Sequence, residues 1–115
     1  MIPRVKICCI AAGQEAVDAI AFGASAIGLV GKMPSGPGPI SDEAIARIAK
    51  TVPPPVATFL LTSEQTSHGI IEHHLRTYTN TIQIVDELTG RDYDAIRSEL
   101  PSVKLVQVIH VVVEP

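Results

Sequence analysis

Apolar positions in this chain recur in short dense blocks, separated by stretches with a helical rhythm. The first block, Arg4–Ile10, is apolar and β-branched around Lys6 and the adjacent pair Cys8 and Cys9. Small residues follow it, Ala11, Ala12 and Gly13. Gln14–Phe22 then sets Val17, Ile20 and Ala21 at i, i+3 and i+4 before Gly23, which predicts a strand, a helix and a glycine stop. Ser25–Val30 predicts a second buried strand. Gly31–Pro39 holds three glycines and three prolines in nine residues, which predicts an irregular loop.

The same unit repeats to the end. Ser41 is a suitable N-cap, Asp42 and Glu43 oppose the positive end of a helix dipole, and Ala44, Ile45, Ile48 and Ala49 form an inward stripe. After Pro53–Pro54–Pro55, Val56–Leu61 predicts a third strand, and Thr62–Ser63 a cap for a helix reaching about Thr77 with Ile70, Ile71 and Leu75 inward. Thr81–Val85 predicts a fourth strand and Asp92–Leu100 a fourth helix stopped by Pro101. Val103–Val113 predicts a fifth strand. Strand starts therefore recur about every 25 residues, the pace of βα repeats with short loops.

Five parallel strands alternating with four helices make an α/β protein, either an open doubly wound sheet or part of a (β/α)8 barrel. A whole barrel takes at least about 200 residues, so 115 residues make one incomplete barrel domain, 1–115. Composition agrees: 46% of residues are hydrophobic and 3% aromatic, which suits strands covered on both faces. The net charge of −3 is spread without runs, which gives nucleic acid no basic footprint. No stretch approaches the roughly 20 apolar residues of a membrane helix, and no signal layout opens the chain, so the expected compartment is the cytoplasm.

Candidate chemistry is sparse. Adjacent cysteines on a strand point to opposite faces, which disfavours a disulfide; Cys8 would face the site and Cys9 the helix layer. Without CxxC, GxGxxG or a P-loop, neither a metal nor a nucleotide cofactor is implied. Lys6 lies two residues from Cys8 on the same face, where its charge would favour a thiolate. Lys32 and Ser35 in the glycine–proline loop are candidates for an anionic ligand. Gln83 and Asp86 close the fourth strand, Asp86 as an acid or as an N-cap, and His110 near the end of the fifth could reach the same mouth. His68, His73 and His74 do not converge on a metal, because helical neighbours point about 100° apart; they are expected to face solvent.

Val5-Lys6-Ile7-Cys8, Gly23-Ala24-Ser25-Ala26-Ile27-Gly28-Leu29-Val30, Pro39-Ile40-Ser41 and Ile82-Gln83-Ile84 together resemble phosphoribosylanthranilate isomerase, the (β/α)8 enzyme of tryptophan biosynthesis. The resemblance runs over essentially the whole chain. It implies an Amadori rearrangement in which an acid opens the ribose ring and the Cys8 thiolate removes the C2′ proton. Three positions depart from the family pattern. Cys9 stands for the glycine after the catalytic cysteine, Ser35-Gly36-Pro37 for a Ser-Pro-Arg whose arginine holds the anthranilate carboxylate, and Val85-Asp86 for His-Gly. The family's general acid and phosphate loops would lie beyond Pro115, so this chain alone is expected to be inactive or nearly so.

Two functions follow from these readings. One is an isomerase-like polypeptide acting on a phosphorylated ribosyl-anthranilate, or a diverged relative taking another small molecule. The other is a non-catalytic half-barrel that covers its open sheet edges by forming a homodimer.

Overall fold

The structure, a computed structural model, describes residues 2–113; expectations attached to Pro115 lie outside the described residues. Nine elements alternate: β1 (Lys6–Ile7), α1 (Gly13–Ala21), β2 (Ala26–Val30), α2 (Asp42–Ala49), β3 (Ala57–Thr62), α3 (Ser67–Leu75), β4 (Thr81–Ile84), α4 (Gly90–Glu99) and β5 (Lys104–Gln107). The strands form one parallel sheet in chain order, β1-β2-β3-β4-β5. Lys6 pairs with Ala26 and Ala26 with Ala57, but Thr81 pairs with Phe59, two residues further along β3. That stagger tilts and curls the sheet, as barrel strands require.

The pleat sorts side chains into two layers. On β3 the alternate residues Thr58, Leu60 and Thr62 are buried under the helices, while Ala57, Phe59 and Leu61 look out on the concave side. The core beneath the helices falls into two clusters. Ile27, Leu29, Ile45, Ile48 and Leu60 pack with Ile10 and Ala16 under α1 and α2, and Ile70, Ile82, Ile84 and Ile96 pack under α3 and α4. No helix among the described residues is long and apolar enough to cross a membrane.

Several boundaries differ from the sequence reading, each for a local reason. The first strand is two residues rather than seven, because Cys9 adopts φ 59° and ends the extended run. The fifth stops at Gln107 rather than Val113. Ladder bonds need a neighbour, and Ile109 and Val111–Val113 are 80–85% exposed. Thr66, not Thr62–Ser63, caps α3 by accepting from Gly69 N, because Thr62 is still inside β3. Thr89 caps α4 in a reciprocal box with Asp92, so Asp86 is not its cap.

Helix faces shift in the same way. Ala16, not Val17, is the buried residue of α1, and Leu75 is exposed at the end of α3. His73 and His74 do not face solvent: both are buried. Ser41 caps α2 as predicted, accepting from Ala44 N at 3.1 Å.

Candidate functional site

The βα loops gather at the C-terminal ends of the strands, where folds of this architecture carry their chemistry. Cys8 follows β1 directly. Continuing the pairing of Lys6 with Ala26 brings Cys8 beside Gly28 of β2. A Cβ at Gly28 would lie 2.7 Å from Cys8 Sγ, so only glycine leaves room for the thiol. Cys8 is half-buried there.

Lys6 lies on the same concave side and reaches across two strands. Its Nζ donates to Gln83 Oε1 of β4 at 2.9 Å and sits 5.1 Å from the centroid of the Phe59 ring. The amide and the ring satisfy an ammonium that burial alone would disfavour. Lys6 and Gln83, proposed separately from the sequence, therefore meet. Beside Lys6, towards the N-terminal ends of the strands and away from Cys8, an open apolar recess of about 330 Å³ is lined by Ala26, Phe59, Thr81, Lys104 and Val106.

Cys9 departs from its expected place. The left-handed φ breaks strand alternation, so its side chain does not enter the helix layer. It is exposed, and its Sγ points to Pro37 O at 3.8 Å. What burial it has, then the charge and hydrogen bond of the Cys8 thiol, push the Cys9 thiol up against the pull of Lys6.

The remaining candidates are spread along the rim. Lys32 offers its backbone carbonyl to Ser63 Oγ at 2.7 Å, and a shallow recess separates Lys32, Met33 and Pro34 from Ser63–Thr66. Ser35 is exposed in that loop. Asp86 accepts from Gln65 Nε2 at 3.0 Å. His110 donates from Nε2 to Val85 O at 3.0 Å, which fixes the proton on Nε2 because a carbonyl only accepts. Among the described residues, no hydrogen bond ties these four to Cys8, Lys6 or Gln83.

Three supporting features went unread in the sequence. Phe59 forms the floor under Lys6. Gln107 holds the mouth of β4 and β5: its amide donates to the carbonyls of Ile84, Asp86 and Val108, while its oxygen accepts from Tyr93 Oη. Behind β3, Thr62 Oγ1 lies 2.9 Å from His73 Nδ1, and His73 Nε2 lies 2.9 Å from Asp42 Oδ1. Arg76 Nε donates to the other oxygen of Asp42, also at 2.9 Å. This chain resembles a catalytic triad in order, yet Thr62 is fully buried, so it serves to tie α2, β3 and α3 together. A glutamine in an otherwise apolar strand was the available signal for Gln107; nothing local announced the histidine's partners.

No family model matches the chain. The curated N-(5′-phosphoribosyl)anthranilate isomerase 2 of Methanosarcina mazei is 27% identical over 110 residues, 95% of this chain and 49% of that protein. The chain thus spans about half the length of the curated relative it matches. Among solved structures, phosphoribosyl anthranilate isomerase from Thermus thermophilus superposes with a TM-score of 0.83 at 23% identity, covering 95% of this chain and 52% of that one. The enzyme from Thermotoga maritima gives 0.80 at 24%, covering 92% and 50%. An isomerase of the same name holding reduced 1-(o-carboxyphenylamino)-1-deoxyribulose 5-phosphate also gives 0.80 at 24%, covering 92% and 53%. In sequence and in fold, the chain resembles about half of a phosphoribosylanthranilate isomerase, with five of the barrel's parallel strands and the helices between them.

Proposed function

We propose that the chain forms part of a cytoplasmic isomerase of the phosphoribosylanthranilate isomerase type, with Cys8 as the base of an Amadori rearrangement. The observation that carries this reading is the seat of Cys8. It stands at the end of β1 on the concave side, opposite a glycine, with Lys6 behind it on the same face. A base in that position meets a substrate lying over the strand ends and takes the C2′ proton of the opened sugar. The ligand named with one related structure, a carboxyphenylamino-deoxyribulose phosphate, supports a phosphorylated aminosugar as substrate.

Within this reading Lys6 supplies a fixed positive charge to the concave face, held by Gln83 and Phe59. Lys32 and Ser35 provide rim contacts to an anion; Asp86 and His110 border the opposite rim. Pro37, which stands where the Ser-Pro-Arg pattern has its arginine, and Gly36 before it, at φ 98°, offer no side-chain group to an anthranilate carboxylate, so recognition of that end must come from elsewhere. The chain by itself is expected to turn over little or nothing.

The test joins this chain to the second half of the Methanosarcina mazei relative and follows phosphoribosylanthranilate by fluorescence. Turnover that falls at least 100-fold in Cys8→Ser supports the reading. A folded chimera without turnover, or with turnover that Cys8→Ser leaves unchanged, overturns it.

One observation favours a second reading, a non-catalytic half-barrel that dimerises. Val5, Ile7 and Ile2 beside β1, and Val106, Ile109 and Val111–Val113 along β5 and beyond, expose large apolar side chains at the two open edges. Pairing with another copy would cover them. Solution scattering at high concentration separates the cases: a monomer removes this reading.

A further inference from the structure

We propose that Cys8 and Cys9 together form a vicinal dithiol site for a soft, thiophilic centre satisfied by two sulfur ligands, of which trivalent arsenic is the simplest probe. Adjacent residues in a strand point to opposite faces, and the left-handed backbone of Cys9 takes this pair out of that alternation. Its φ of 59° interrupts the alternation immediately after Cys8, and Cys8 is among the groups that act directly on the Cys9 thiol.

Two glycines make room for the pair. A Cβ at Gly28 would lie 2.7 Å from Cys8 Sγ, and one at Gly38 would lie 2.8 Å from Cys9 Sγ. The sulfurs thus rest against β2 and the loop that follows it. Cys9 is exposed and Cys8 half-buried, so a small reagent reaches both.

The donor set selects the ligand class. Among the described residues no group of three or more histidine, cysteine or carboxylate side chains is placed to hold a metal ion. Structural zinc, which takes four ligands, is therefore poorly served, whereas soft ions prefer thiolates and some accept two. With an arylarsine oxide the chemistry balances without an oxidant. Two As–S bonds form, the As–O bond breaks, and the oxygen leaves as water with the two thiol protons.

The proposal rests on the sulfur positions and is independent of the isomerase reading. The test treats the chain with one equivalent of phenylarsine oxide and weighs it by mass spectrometry. A single adduct that survives excess 2-mercaptoethanol but is stripped by 2,3-dimercaptopropanol is expected. Cys9→Gly, which suits the left-handed backbone and should keep the circular dichroism spectrum, is expected to lose that resistance at least tenfold, as is Cys8→Ala. No adduct on the native chain, or one that monothiol removes as readily as from Cys9→Gly, would overturn the proposal.

Discussion

Lys6 and Gln83, 77 positions apart, meet at 2.9 Å across the concave face, over the ring of Phe59. The bond spans β2 and β3 and so links the first strand to the fourth. β1 has two ladder pairs with β2, and Ile10 N donates to Gly28 O at 3.1 Å just beyond them; the Lys6–Gln83 bond adds a tie across the whole sheet near Cys8.

Removing the acceptor leaves an ammonium half-buried against an aromatic floor. Gln83→Leu is expected to destabilise the fold by about 1.5–3 kcal/mol, the range for a hydrogen bond to a charged group. A urea titration of Gln83→Leu, Lys6→Met and the double variant measures the coupling, expected at about 1 kcal/mol. Strict additivity would mean that the contact contributes nothing.

The left-handed backbone at Cys9 makes a second prediction. A non-glycine residue at φ 59° carries a cost of about 1–2 kcal/mol, part of which glycine gives back through its freer unfolded chain. Cys9→Gly is therefore expected to stabilise by up to about 1 kcal/mol. Cys9→Val should destabilise by more than that, since a β-branched side chain is least tolerated there. Thermal melts of the two variants check both signs.

These contacts mark how far the sequence could be read. The βα order, all five strands and the Ser41 cap follow from period, punctuation and capping chemistry, which act within a few residues. Cys9 escaped because a strand pattern says nothing about where the backbone turns left-handed. His73 and His74 escaped because their partners lie elsewhere: Asp42 and Thr62 for one, Thr79 for the other. The overlong fifth strand shows the same limit. Val108 N still donates to Ile84 O at 2.9 Å, but Ile109–Val113, rich in β-branched residues, belongs to no ladder pair. Within the candidate site, Cys8 was singled out by family resemblance alone, while Phe59 and Gln107 depend on register.

The Asp42 cluster behind the sheet predicts a structural penalty. Asp42 accepts from His73 and Arg76 and begins α2, so Asp42→Ala removes two hydrogen bonds and a favourable first-turn charge. It also leaves Nε2 of the buried His73 without an acceptor. A loss of about 2–3 kcal/mol is expected from denaturant unfolding. Arg76 is half-exposed, and Arg76→Ala should cost under about 1 kcal/mol.

His74 gives the fold an acid sensitivity with a defined sign. Burial, then the neighbouring His73, hold its imidazole below the ordinary value of 6.5, while Nδ1 meets the Thr79 hydroxyl at 3.2 Å. The unfolded chain takes up a proton that the folded one resists, so the unfolded state binds more protons as the pH falls below 6.5. The contribution is fully present above that value and is lost as the pH drops through the depressed folded one. Urea midpoints measured at pH 7.5 and pH 5.5 should therefore fall for the native chain. His74→Gln keeps a polar side chain but no titrating ring, and its midpoint should fall less over the same interval. Equal falls would assign the acid sensitivity to other groups and leave His74 a purely packing role.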